Sequence, residues 1–433
     1  MSDPHAIFPH PPRYGVHLTP DITPLSQPQL EAVLPTARAL GLRWVVIPAP
    51  TTRAVPEEHI RPWLEQGVTV ILHLHAPVYD PPAVGEVVPL LQAYARWGAR
   101  YLIWFNRPNL QAAWGGTWTQ ADPAERTADA LLPLLQAAQE MGLTSLLPPL
   151  AQGGDYWDTA FLRRLLEELH RRAPQVLAQM GLAVEARSFG RPLAWGQGGP
   201  EAWPETQPYA TPPHSQDQRG FCVFDWYATI AQAVLGRPMP MFLLRMGRAY
   251  GEGDAQAVTD ELAAIAALFG HDAAEPPPSV RLHAQVFGGA FWALAAPPGS
   301  PHADQVWLPP ERPPRPIVER LAHTREQQEP KGMPAPSGNG HVPYILLPQD
   351  PEKTPWALEL IRPLLIHLRA TVGFSIEEAA RHRRVVLVGG PGNFPPEQWQ
   401  ALRQQGVLVQ EVQHGTDVAS LLATMNRDKR GEP

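Results

Sequence analysis

A single cysteine, Cys222, stands among 433 residues, so no internal disulfide can form, and no CxxC or Cys/His finger spacing is present to hold a metal. That excludes a disulfide-stapled scaffold and fits a reducing compartment. Apolar runs are short, and nothing approaches the roughly 18 residues that a membrane span needs. The start, "MSDPHAIFPHPPRYGV", has neither a basic opening nor an apolar stretch, so no signal peptide is expected and a cytoplasmic location is. Blocks of Lys and Arg are missing, and a net charge of -7 spread along the chain argues against nucleic acid as a main partner. No GxGxxG follows the first strand, and "VVLVGGPGNFP" lacks the Lys-Ser/Thr that closes a Walker A loop. No cofactor is expected.

Apolar residues and proline are plentiful. With 44% hydrophobic and 18% charged residues the chain can bury a large core. Its 53 prolines, read mostly as loop residues, stiffen connections and lower the entropy of the unfolded chain. One local pattern recurs: an amphipathic helix, a glycine, then an apolar strand. It appears at Gly41 with a strand to Ile47, at Gly67 with a strand to Leu74, and at Gly98 with a strand to Phe105. It recurs at Gly142, and at Gly181 with a strand through Arg187. A glycine after the last helical turn accepts the left-handed conformation that ends the helix. Strands near Tyr14, before Gly247 and around Trp292 bring the number to eight. Strands apolar on consecutive residues suit a parallel sheet covered on both faces. Alternating β and α over about 300 residues leaves a doubly wound sheet or a barrel, and eight strands favour a (β/α)8 TIM barrel.

From Thr324 the chain turns polar and rich in Pro and Gly, then resumes a compact α/β pattern. The expected domains are an extension over 1–13, the barrel over 14–323, a linker over 324–342 and a small, separate three-layer α/β domain over 343–428.

In such a barrel, chemistry gathers at the C-terminal ends of the strands. Strand one ends at His17 and Thr19, and strand three in His73 and His75. Strand four ends in Asn106-Arg107-Pro108-Asn109, followed by Trp114; strand five runs into Asp155. Strand six carries Glu185 and Arg187, strand seven ends in Arg245-Met246-Gly247, and strand eight in Trp292. Over residues 14–322 these strand ends resemble the clan A glycoside hydrolases, retaining glycosidases on a (β/α)8 barrel. The resemblance implies an acid/base Glu within Asn-Glu-Pro after strand four, a nucleophilic Glu after strand seven and a tryptophan floor after strand eight.

This sequence departs at both catalytic places, with Arg107 in one and Met246 in the other. Retaining hydrolysis needs two carboxyl groups about 5 to 5.5 Å apart. A guanidinium stays charged and cannot shuttle a proton, and a thioether cannot attack as a carboxylate does. Glu185 and Asp155 are the fallback carboxylates. Against that, Glu185 reads as an ion-pair partner of Arg107, Arg187 or Arg245, and a carboxylate beside arginines makes a poor acid. Of His73 and His75 only one is expected to face the interior, and no metal site is expected.

The favoured expectation is a glycosidase-like barrel without catalysis, acting as a scaffold or binding a carbohydrate or anionic ligand through His75, Asn106, Arg107, Asn109, Trp114, Glu185, Arg187, Arg245 and Trp292. An active glycosidase on relocated carboxylates is one alternative. The other is a structural part of an assembly, engaging a protein partner through the C-terminal domain. That domain is similar to small α/β modules of bacterial surface and cell-wall-associated proteins, on its "TVGFSIEEAARHRRVVLVGG" stretch.

Overall fold

A computed structural model describes Phe8 and residues 12–118, 121–270, 276–277 and 279–328. Beyond them it describes 344–348, 356–357, 360–361, 371–374, 376–379, 382, 384–389, 394, 402–403, 407–412, 414 and 417–418. Most of the expected extension, most of the expected linker and much of the expected small domain fall outside these residues.

The chain divides into two compact units, Met1–Gln328 and Glu329–Pro433. In the first, eight strands pair in sequence order and close on themselves through parallel ladders. They are β1 (Arg13–His17), β2 (Trp44–Pro50), β3 (Thr69–His75), β4 (Tyr101–Trp104), β5 (Thr144–Leu147), β6 (Gly181–Ala186), β7 (Met241–Met246) and β8 (Val286–Phe291). Around them run α1 (Gln27–Ala39), α2 (Glu57–Glu65), α3 (Val84–Arg96), α4 (Pro123–Glu140), α5 (Asp158–Arg172), the short α6 (Pro174–Leu177) and α7 (Gly199–Ala202), α8 (Val223–Leu235), α9 (Ala255–Leu268) and α10 (Pro316–Gln328). This is a TIM barrel.

Side-chain alternation makes two cores. Trp44, Val46, Ile71, Ile103, Leu146, Phe242, Leu244 and Phe287 fill the interior, while Val45, Ile47, Leu72, Leu102, Leu182 and Leu243 pack outward against the helices. Gly41, Gly67, Gly98 and Gly142 follow α1 to α4 with φ of 68°, 71°, 92° and 75°, the left-handed helix end that the repeat implies. Gly181 differs. A Cβ there would stand 2.9 Å from both Pro240 O and Leu146 Cδ2, so it serves close strand approach. Prolines are not confined to loops: Pro35, Pro62, Pro89 and Pro133 stand inside α1 to α4. The boundary expected at 323 falls inside α10, which runs to Gln328.

The second unit holds a four-stranded parallel sheet in the order β10-β9-β11-β12, from β9 (Tyr344–Leu346), β10 (Thr371–Gly373), β11 (Arg384–Val388) and β12 (Leu408–Val412). Ile345, Val386 and Val388 pack on one face and Tyr344, Val385 and Leu387 on the other, so both faces are covered. Among the described residues no helix is long and apolar enough to cross a membrane.

Candidate functional site

At the C-terminal end of the barrel the inward places change from apolar to polar. On β1 the place belongs to His17, whose Nε2 donates to Leu244 O. On β3 it belongs to His73 and His75 together: their rings lie 4.3 Å apart and His73 Nε2 donates to Phe105 O at 2.7 Å. The expectation that only one of them faces inward is corrected, because residues two apart on a strand share a face. Burial, above all, lowers the pKa of all three imidazoles, that of His17 to about 3 and that of His75 to about 4. Nearby Arg245 and Arg107 add to the effect. Among the described residues no group of three or more His, Cys, Asp or Glu could hold a metal.

After β4 the backbone turns through two left-handed residues, Phe105 with φ 58° and Arg107 with φ 49°. Such conformations cost a non-glycine residue of order 1–3 kcal/mol and persist only where the surroundings impose them. The Phe105 ring goes to the outer core, and Arg107 Nε reaches Glu185 Oε1 at 2.7 Å. Glu185 is 5% exposed, and its charge raises the Arg107 pKa above the usual guanidinium value. The cation after strand four therefore closes an ion pair across the mouth.

Strand seven holds the larger departure. The β6–β7 register pairs Val184 with Leu243 but Glu185 with Arg245, one residue further on. A bulge of this kind exchanges the two faces of everything beyond it. Arg245 consequently joins the mouth, its guanidinium 4.4 Å from the centroid of Trp292. Met246 packs in the outer core, so close to Gly289 that a Cβ there would lie 2.5 Å from its Sδ. Met246 thus does not occupy the place of a nucleophile. Nor is Trp292 an open platform: besides Arg245, the His17 ring packs against it at 4.9 Å, and its Nε1 donates to Gln305 Oε1 at 3.1 Å.

The loop after β7 contributes a carboxylate, Glu252, that is not among the residues expected at the mouth. Arg187 Nη2 and Arg245 Nη2 both donate to Glu252 Oε1, at 2.8 and 2.9 Å, and Ala249 N donates to Glu252 Oε2 at 3.1 Å. The signal was present in "YGEGD", a glutamate between two glycines directly after a strand that ends at the mouth. Burial pushes the Arg245 pKa down to about 10, which leaves it charged at neutral pH. The Nε of Arg187, the Nε of Arg245 and the Nε2 of His75 are buried without a hydrogen-bond partner among the described residues.

Three expected site residues serve the scaffold. Asn109 is fully buried and staples two loops, donating to Ala151 O and Tyr156 O and accepting from Ala151 N. Trp114 is buried, with Nε1 on Pro108 O. Asp155 is exposed and accepts from Gln111 N at 2.7 Å. Asn106 is exposed at the strand end.

The long segment over 196–219, without periodic pattern in the sequence, is an ordered structure around Asp217. That buried carboxylate accepts from Arg191 Nη1, Trp195 Nε1, Thr211 Oγ1 and three nitrogens of Arg219. Burial alone would raise its pKa, but the bonds from Arg219, Trp195 and Thr211 and the charge of Arg219 hold it at about 2.

No protein-family model matches the chain, and no curated protein does. Solved structures similar to it include a GH128 (subgroup II) endo-beta-1,3-glucanase from Sorangium cellulosum, at 15% identity and a TM-score of 0.41, covering 72% of this chain and 98% of that one. A GH53 catalytic domain from Ignisphaera aggregans matches at 11% identity and a TM-score of 0.42, covering 72% and 97%. A D-psicose 3-epimerase from Clostridium cellulolyticum H10 matches at 9% and 0.39, covering 73% and 97%. Likenesses at this level carry no argument about the chemistry of this chain, whose closed barrel stands on its own strand pairing.

Proposed function

We propose that the barrel mouth binds a singly charged anionic sugar, of the uronic acid type, and does not cleave glycosidic bonds. The observation that supports this reading is a charge imbalance in a largely buried site. In direct ion pairs three guanidiniums, Arg107, Arg187 and Arg245, meet two carboxylates, Glu185 and Glu252, which leaves one positive charge within that cluster, with the Asp21 carboxylate near His75 at its edge. His17 and His75, with pKa values of about 3 and 4, add none at neutral pH. A ligand carboxylate would balance that charge and pair with guanidinium in the planar geometry it favours. Sugar hydroxyls, which both donate and accept, suit a mouth holding guanidiniums and carboxylates side by side. Hydrolysis is disfavoured because Glu185 and Glu252 are each held in ion pairs with arginine.

Isothermal titration with galacturonic acid, glucose and glucose 6-phosphate tests the proposal. Heat with the uronic acid alone, lost in Arg245→Gln, is the expected result; equal heats with glucose would overturn it. The presence of both Glu185 and Glu252 at one mouth favours a second reading, a glycosidase on relocated carboxylates. Release of aryl glycoside chromophore that disappears in Glu185→Gln would establish that reading and end the first.

A further inference from the structure

Of the charged side chains that pair at the mouth, one is held differently from the rest. Arg107, Glu185, Arg187 and Arg245 stand on a barrel strand or just after one, whereas Glu252 reaches in from the loop after β7. Its Oε1 accepts from Arg187 Nη2 at 2.8 Å and from Arg245 Nη2 at 2.9 Å. Its charge extends to the third guanidinium as well: the Arg107 pKa is raised first by Glu185 and further by Glu252. At Arg245, burial and the charge of Arg187 act against the cation, while Glu185 and Glu252 support it. Glu252 thus acts on all three cations, whereas the direct partner of Glu185 is Arg107. Asp21, at the edge, acts on His75.

The loop fixes this carboxylate through its own backbone. Glu252 N donates to Ala249 O at 3.2 Å, and Ala249 N donates to Glu252 Oε2 at 3.1 Å. Gly251 and Gly253 flank the turn with φ of 84° and 151°, conformations that glycine adopts without strain. A Cβ on Gly253 would also lie 2.7 Å from Arg248 Nη1. The ends of the loop have anchors that do not involve Glu252. Arg248 gives its backbone N and its Nε to Glu261 on α9, Tyr250 Oη bonds Thr259 Oγ1, and Asp254 caps α9 by accepting from Ala257 N. A substitution at 252 that keeps the size of the side chain therefore changes the charge of the mouth and leaves its frame.

We infer that Glu252 determines the charge of the ligand, holding the mouth at one unbalanced cation so that a singly charged sugar is accepted and a doubly charged sugar phosphate is rejected. This rests on the anionic-sugar reading given above. With Glu252 in place, a monocarboxylate brings the paired cluster to neutrality. A phosphate monoester carries about two negative charges at neutral pH. Its second charge would enter a largely buried place without a partner, at a cost in desolvation. With a neutral side chain at 252 two cations are left unbalanced, and the dianion becomes the better match. The histidines do not alter this count, because burial keeps His17, His73 and His75 neutral at neutral pH. The rival role for Glu252 is a clamp that positions Arg187 and Arg245 without selecting the ligand.

The test is calorimetric titration of the full chain with galacturonic acid and glucose 6-phosphate, in the wild type, Glu252→Gln and Glu252→Asp. The wild type is expected to bind galacturonic acid at least tenfold more tightly than glucose 6-phosphate. Glu252→Gln should reverse that order, and Glu252→Asp, which keeps the charge, should retain it. Near-UV circular dichroism checks that each variant folds, and Glu252→Ala takes the place of the amide variant if that one does not. The wild-type order in folded Glu252→Gln overturns the inference and leaves the mouth reading standing. Loss of both ligands in that variant also overturns it, in favour of the clamp. A reversed order in Glu252→Asp as well as Glu252→Gln would mean that side-chain shape and not charge decides, and equal affinities in the wild type would mean that the mouth does not select by charge; either result sinks the inference. Binding of neither ligand by the wild type overturns both readings.

Discussion

Arg107 and Glu185 show why a charged residue can stand at the end of an apolar strand. Each alone would be an uncompensated charge in a largely buried place; joined at 2.7 Å they offset one another. Arg107→Ala should therefore cost about 3 kcal/mol in urea unfolding, because it strands a carboxylate that is 5% exposed. The double variant Arg107→Ala/Glu185→Ala should cost clearly less than the sum of the two single losses; an additive result would mean that the pair is not coupled. The histidines give a pH dependence. His17 and His75 are neutral in the folded barrel down to about pH 3 and 4, whereas the unfolded chain takes up protons from about pH 6.5 downward. The unfolded state then binds more protons, so stability falls as pH drops through that window, by about 1.4 kcal/mol per pH unit for each imidazole. Melting curves between pH 7 and 4.5 should show the loss, and His75→Asn should reduce its slope.

At the scale of elements, loops carry the information that the strands lack. Glu252 reaches the mouth from the loop after β7, and the 196–219 segment is organised by one buried carboxylate, Asp217, rather than by periodic apolar residues. Asp217→Asn should leave Arg191 and Arg219 short of their partner and lower stability by about 2–4 kcal/mol. Because the folded-state pKa of Asp217 is held down to about 2, its contribution is complete above pH 4 and fades as pH falls toward 2. Limited proteolysis of the variant should cut first within 196–219. An unchanged digestion pattern would refute the organising role. The sequence marked this segment as long and aperiodic, but its ordering rests on polar contacts between residues that no periodicity reports.

The molecule as a whole is two units, and the ligand reading concerns only the first. If the barrel is self-sufficient, a fragment spanning 1–328 should keep its near-UV circular dichroism and bind galacturonic acid as the full chain does. A shorter fragment ending at 323 would cut α10 within its last turns and should melt at lower temperature. Similar behaviour of the two fragments would show that the end of α10 adds nothing to the barrel.

Local pattern was enough to determine the eight-stranded barrel, the glycines after α1 to α4 and the arginine after β4, since helix ends and strand periods are written in neighbouring residues. Tertiary structure alone decided that Arg245 and not Met246 enters the mouth, that Trp292 is partly covered by Arg245 and His17, and that Asn109 and Trp114 serve the scaffold. The reason is physical. The side-chain period of a strand is two, so one bulged residue exchanges inside for outside, and the partner of a buried polar group is chosen by contacts dozens of residues away.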